Sequence, residues 1–252
     1  MLQTICYLGD DYLSGAAIYL AGIMTEAGLA FDYVPSAESP AKEFSERQYA
    51  LYVISDYPGG RFNREQLEHV VRCVRAGSGL AMFGGWESYH GRLGEYHRSP
   101  LADVLPVTML DEDDRHHCAQ PCLVEKVAEH PILDGLPLET PPGVGGFNRI
   151  TPKPEAQTLL NAVEFAAERI GDGYQFSPLR RWPLLVVGQQ GSGRTAALAT
   201  DVAPHWVGGF VDWGDQRVLV DLPSGSIDVG NWYARFFRNL LIWTGQLTHR
   251  RG

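Results

Sequence analysis

The sequence predicts an α/β domain in which a doubly wound, mostly parallel sheet lies between helical layers. Three observations carry that expectation. Short runs around residues 5–8, 51–54 and 80–83 are apolar at successive positions, as in strands buried on both faces, and residues 31–34 form a further strand-like run interrupted by Asp32. Stretches of helical periodicity separate them. Strands alternating with helices must be joined by right-handed crossovers, which place helices on both sides of one sheet.

Each element has a local reason. Thr4-Ile5-Cys6-Tyr7-Leu8-Gly9 is an apolar run stopped by Asp10-Asp11. Ala16, Ala17, Leu20, Ile23 and Met24 share a helix face between about Ser14 and Ala27, and Gly28 suits the C-terminal cap. Ala30–Val34 is a second strand, ended by Pro35; Ala50–Ile54 is a third, ended by Ser55-Asp56-Tyr57-Pro58. Leu67, Val70, Val71 and Val74 make one face of a helix from about Asn63 to Arg75. Gly79–Gly85 is the fourth strand.

Residues 86–155 are rich in Gly, Pro, Asp and His, and read as an irregular central insertion within a single domain spanning 1–252. Only short strands near Val104–Leu110 and Cys122–Val127 are legible there. Further on, Leu184–Val187 and Thr195–Ala199 flank Gly191-Ser192-Gly193 as a hairpin. A helix from about Val229 to Leu247 carries Trp232, Phe236, Leu240 and Trp243, read as core packing.

Composition narrows the function. Thirty acidic against 21 basic residues give a net charge of −9, which argues against a nucleic-acid partner. No apolar run is long enough for a membrane span, and the N-terminal residues lack a signal-peptide pattern. Four cysteines do not make a disulfide scaffold, so the expectation is a cytoplasmic protein with reduced thiols.

In open α/β sheets, ligands bind beyond the carboxyl ends of the strands. Those ends carry Asp10 and Asp11, Asp56, the segment Trp86-Glu87-Ser88, and Asp201 followed by His205 and Trp206. Glu87 and His205 have the chemistry of an acid–base pair, and Ser88 is the nearest hydroxyl. Asp10, Asp11, Asp56 and Asp201 offer hydrogen bonds, and Trp86 and Trp206 offer stacking faces. Singly, the Asp and Ser residues also suit caps and turns. Gly188–Thr195 approaches a phosphate-loop pattern with Arg194 in place of Lys, but a strand follows where a helix should, so a glycine turn is expected. His116, His117, Cys118 and Cys122 are zinc-type ligands without a second pair at suitable spacing, so no metal and no cofactor is expected.

The segments Gly79–Gly91, His130–Pro137 and Gly191–Trp206 resemble the class I glutamine amidotransferase-like superfamily, closest to its glutamine amidotransferase-like group, with trehalose-utilisation-type proteins as neighbours. The resemblance implies a flavodoxin-like three-layer sandwich. It also implies a site in which active members use a Cys on the turn after a strand, a His after a late strand and a Glu two residues beyond. Here the turn reads Gly84-Gly85-Trp86, His205 falls at the His position, and Val207 stands where Glu is expected. Three readings follow. The chain is a family member without the nucleophile that binds a small polar ligand, a sugar or an amide. Alternatively it is a hydrolase or isomerase using Glu87 and His205, or a structural homo-oligomer without catalysis.

Overall fold

The computed structural model describes residues 3–248. Strand β1 (Ile5–Gly9) leads through helix α1 (Ile18–Glu26) to β2 (Phe31–Val34). Strand β3 (Leu51–Ser55), helix α2 (Arg64–Arg75) and β4 (Gly79–Phe83) follow. A short helix α3 (Leu101–Val104) precedes β5 (Val107–Met109), β6 (Arg115–Lys126), β7 (Gly143–Asn148) and β8 (Ile150–Pro152). Two long strands, β9 (Gln157–Ile170) and β10 (Gly173–Gln190), run back to β11 (Gly193–Leu198). The chain closes with α4 (Pro204–Val207), the hairpin β12 (Arg217–Leu222) and β13 (Gly225–Gly230), and α5 (Asn231–Gly245).

Nine strands form one sheet in the order β2-β1-β3-β4-β11-β10-β9-β6-β7. From β2 to β11 neighbouring strands are parallel, and from β11 outward they are antiparallel. The expected α/β sandwich is therefore present, and the segment read as irregular supplies β6 and β7 to its far edge. Strands β1, β3 and β4 are buried at every residue, the condition that made them legible.

Helix α2 begins where its sequence dictates. Asn63 accepts from the Gln66 N–H while the Gln66 side chain accepts from the Asn63 N–H, a reciprocal capping box. Helix α1 starts at Ile18 rather than Ser14, because residues 13–17 form turns and Ala17 has no capping side chain. On α5, Phe236, Phe237 and Leu240 are buried, and Phe210 packs on both phenyl rings. Trp232 and Trp243 sit half-buried on its flanks, the second beneath the Arg194 guanidinium at 4.9 Å. Gly191-Ser192 turns β10 antiparallel onto β11, a hairpin rather than a strand-to-helix phosphate loop.

Candidate functional site at the carboxyl edge of the sheet

The parallel half of the sheet sets the site. Strands β1, β3, β4 and β11 all end on one edge, and Asp10, Asp56, Gly84 and Asp201 leave it. Asp10 and Asp56 adopt left-handed backbone, with φ of 52° and 45°. Such conformations are uncommon for residues with a side chain, although Asp tolerates them better than most, and they turn both chains sharply as the strands end. The Asp10 N–H donates to the Ser55 carbonyl at 2.9 Å, which ties the ends of β1 and β3 together.

The turn after β4 is strapped from several sides. Gly85 has φ of 158°, and a Cβ there would lie 2.2 Å from Asp56 Oδ1. Asp56 Oδ1 accepts the Glu87 N–H at 2.6 Å, and the Asp56 N–H donates to Ser88 Oγ at 3.1 Å. Asn148, at the end of β7, accepts from the Gly85 N–H and donates to the Gly85 carbonyl and to Asp114. Asp114 in turn accepts from the His90 and Gly91 N–H groups. Ser88 is fully buried. Its hydroxyl secures this turn, and enclosure of that kind leaves it no path to a substrate.

Three carboxyls crowd the interior of the edge. Asp10 is 5% exposed and accepts from the Tyr7 hydroxyl at 2.6 Å. Burial, reinforced by the neighbouring Asp201 charge, raises its pKa well above the carboxylate range. Burial, and then Asp201, pushes Asp56 up to about 7. Asp201 is itself buried, and its Oδ1 accepts the Val202 and Ala203 N–H groups that shape the loop after β11. The Tyr233 hydroxyl pins the same loop by donating to the Val202 carbonyl.

His205 stands over this interior on α4. Its Nδ1 lies 3.4 Å from Asp201 Oδ2, and its side chain is 69% exposed. The bond to Asp201 raises the imidazole pKa against the opposing effect of desolvation. Replacement of the carboxylate removes that support. In Asp201→Asn the His205 titration, followed by NMR of the ring protons, is expected to fall back toward the ordinary histidine value. An unchanged titration would show that the pair does not form in solution.

Glu87 faces outward into a groove of about 460 Å³ that it shares with Asp11, Ser36, Arg61 and Glu95. Burial and the nearby Asp11 charge raise its pKa. Among the described residues, neither Glu87 nor Ser88 is hydrogen-bonded to His205. The expected Glu87–His205 partnership is thus not a direct contact, and the charge partner of His205 is Asp201. Trp86 is 45% exposed under the Arg115 guanidinium at 4.5 Å. Trp206 is buried; a Cβ on Gly146 would meet its ring at 2.8 Å, so it forms wall rather than an open stacking face. His117 lies between the two indoles, 6.4 Å from Trp86 and 5.6 Å from Trp206 by ring centres. Asn148, Asp114 and His117 all come from the central segment, and no local sequence pattern ties them to the strand ends.

The cysteines stand elsewhere. Cys6 lies in β1, Cys73 in α2, and Cys118 and Cys122 in β6 with sulfurs 3.4 Å apart. Burial raises all four thiol pKa values, that of Cys122 to about 12. A strongly raised pKa is the opposite of what an activated thiolate requires.

This topology is that of the amidotransferase-like class. The chain belongs to the family described as "Putative glutamine amidotransferase", whose model matches residues 47–221. The cytoplasmic protein STM1381 from Salmonella typhimurium LT2 is similar at 25% identity and TM-score 0.73, over 96% of this chain and 99% of that one. The cytoplasmic protein STM3548 from Salmonella typhimurium is 24% identical with TM-score 0.71, over 96% and 99% of the two chains. A ThuA-like protein from Bacteroides uniformis shares the fold at 14% identity and TM-score 0.56, over 96% and 90%. No curated protein matches the chain. Among the described residues, no helix is long and apolar enough to cross a membrane.

Proposed function

We propose that this family member lacks the thiol nucleophile and binds a small polar ligand, a sugar or an amide, at the carboxyl edge of its sheet. The observation that carries the reading is the convergence of Asp10, Asp56 and Asp201 beneath an exposed His205, on strand ends bent by left-handed backbone. Each carboxyl already has a partner in the protein, and its oxygens have lone pairs to accept further hydrogen bonds. Hydroxyl and amide groups supply donors to them, and a protonated Asp56 can also donate in return. The turn after β4 carries Gly84-Gly85-Trp86, and every thiol lies on another element with a raised pKa, which supports a role without acyl-enzyme chemistry. The acidic charge supports the absence of a nucleic-acid partner, and a cytoplasmic location fits the similarity to two cytoplasmic proteins of Salmonella.

A thermal-shift panel of neutral sugars and primary amides, glutamine included, tests the proposal. A ligand at about 100 times its dissociation constant adds about 2.7 kcal/mol, or roughly 5–10 °C in Tm for a chain of this size. One chemical class is expected to give such a shift, and Asp56→Ala and His205→Ala to abolish it. No shift with any of them would count against binding. Ammonia release from glutamine, blocked by a thiol reagent, would overturn the missing-nucleophile half.

A second reading has its own support. Asp56 titrates near 7, and His205 is an exposed imidazole held by a buried carboxylate; such groups, together with Glu87, can exchange protons with a bound substrate near neutrality. A thiol-independent hydrolase or isomerase would use them as its acid and base. Its signature would be turnover that survives thiol alkylation and is lost in His205→Ala.

A further inference from the structure

Strands β9 and β10 are far longer than the sheet they belong to. β11 pairs with β10 only from Leu185 to Gln190, and β6 pairs with β9 only from Leu160 to Val163. Beyond those limits β9 and β10 pair only with each other, turning at Gly171-Asp172. At about 3.4 Å per residue, this two-stranded arm reaches roughly 20 Å past the sheet. A lone two-stranded ribbon is marginally stable in water.

The arm has two unlike faces. Cross-strand partners share a face, and the register pairs Tyr174 with Arg169, Phe176 with Ala167, and Pro178 with Phe165. The opposite face carries Gln175 with Glu168, Ser177 with Ala166 and, at the tip, Gly173 with the exposed Ile170. Phe165 and Phe176 rings touch at 5.6 Å, yet Phe176 is 63% and Tyr174 67% exposed. By the two-residue period of a strand, Val163 lies on the aromatic face, and its cross-strand partner is Leu123. These two residues, with Leu138 and Pro141, line a groove of about 540 Å³ at the root of the arm. A strip of aromatic and aliphatic side chains therefore runs from root to tip, with Arg181 beside Val163 and Arg169 beside Tyr174 on the same face.

We infer that this strip is a homodimer interface, occupied by the same strip of a second copy of the chain. The charge of the arm fits that partner. The arm from 164 to 181 holds Glu164, Glu168 and Asp172 against Arg169, Arg180 and Arg181, and is neutral, whereas the chain carries −9. Two copies carry like net charge, and a contact made through the neutral arms adds no repulsion between those arms. A twofold, antiparallel contact sets each tip on the partner's root, so one patch serves both copies. The root groove adds to the area of the arm toward the roughly 800 Å² per partner typical of a stable pair. Strand addition along the outer edge of β10 is disfavoured by Pro178 and Pro183, which lack N–H donors, so the copies join by faces.

Sedimentation velocity on the full chain tests this. Twice the chain mass is expected at micromolar concentration. Tyr174→Glu with Phe176→Glu should raise the dimer dissociation constant by about 100-fold or more. Gln175→Glu, which adds a single negative charge on the opposite face, should leave it within a few-fold, as should Phe176→Leu. The substituted side chains are exposed, so unchanged circular dichroism is expected to certify the fold. A monomeric wild-type chain would overturn the inference, as would a dimer indifferent to the double substitution or equally sensitive to Gln175→Glu.

Discussion

Gly84→Ala should cost about 3 kcal/mol of stability, a drop of roughly 10 °C in Tm. A Cβ at residue 84 would lie 2.0 Å from the Ala199 carbonyl oxygen and 2.8 Å from Asn148 Oδ1. Both neighbours are committed. The Ala199 carbonyl accepts the Asn148 N–H at 2.8 Å, and Asn148 holds Gly85 and Asp114 in place. Relief of the clash therefore pulls β4 from the end of β11 and loosens the turn that carries Trp86 and Glu87. Gly209 gives the comparison, because a Cβ there meets nothing within 4 Å. Gly209→Ala should fall within about 0.5 kcal/mol of wild type, as exposed substitutions do. Urea denaturation of the two variants decides the matter: equal midpoints would mean that the packed turn is not a feature of the molecule in solution.

What could be read in advance follows from how each segment is buried. Strands β1, β3 and β4 are enclosed on both faces, so every residue is apolar or small and the runs announce themselves. Helix α2 has one wet and one dry face, and its valines record that. The arm has no such constraint. Much of it is wet on both sides, so alternation is confined to a short stretch at Tyr174–Pro178, and only Leu184–Val187 of β10, which enters the core, was legible as strand.

The site divides in the same way. Asp10, Asp56 and Asp201 could be anticipated because parallel strands must end on a common edge. Ser88 and Trp206 carry suitable chemistry, but sequence does not say which side of a turn is enclosed, and both are buried. The straps from Asn148 and Asp114 cross 63 and 24 residues to reach Gly85 and His90, a pairing that only the folded sheet reveals.

The carboxyl cluster makes stability fall as pH rises. An unfolded Asp ionises near 4, whereas native Asp56 holds its proton to about 7. Between those values the native chain binds more protons than the unfolded one, so the contribution of Asp56 is complete below pH 4 and is lost as pH climbs through 7. His205 acts in the same sense: its native pKa is raised, so its pairing with Asp201 is lost as the imidazole deprotonates. His97 and His130, held neutral by burial, act in the opposite sense at mildly acidic pH. A direct comparison with Asp56→Asn isolates the cluster. The amide oxygen can still accept the Glu87 N–H, and the side chain cannot ionise. Asp56→Asn should match wild type near pH 4 and exceed it by about 4 kcal/mol at pH 8, since desolvated charge and repulsion from Asp201 are both removed. Urea unfolding at the two pH values measures the difference. Parallel pH profiles would mean that Asp56 is ionised and solvated in the native state, and the enclosed carboxyl pocket on which ligand binding rests would then have to be abandoned.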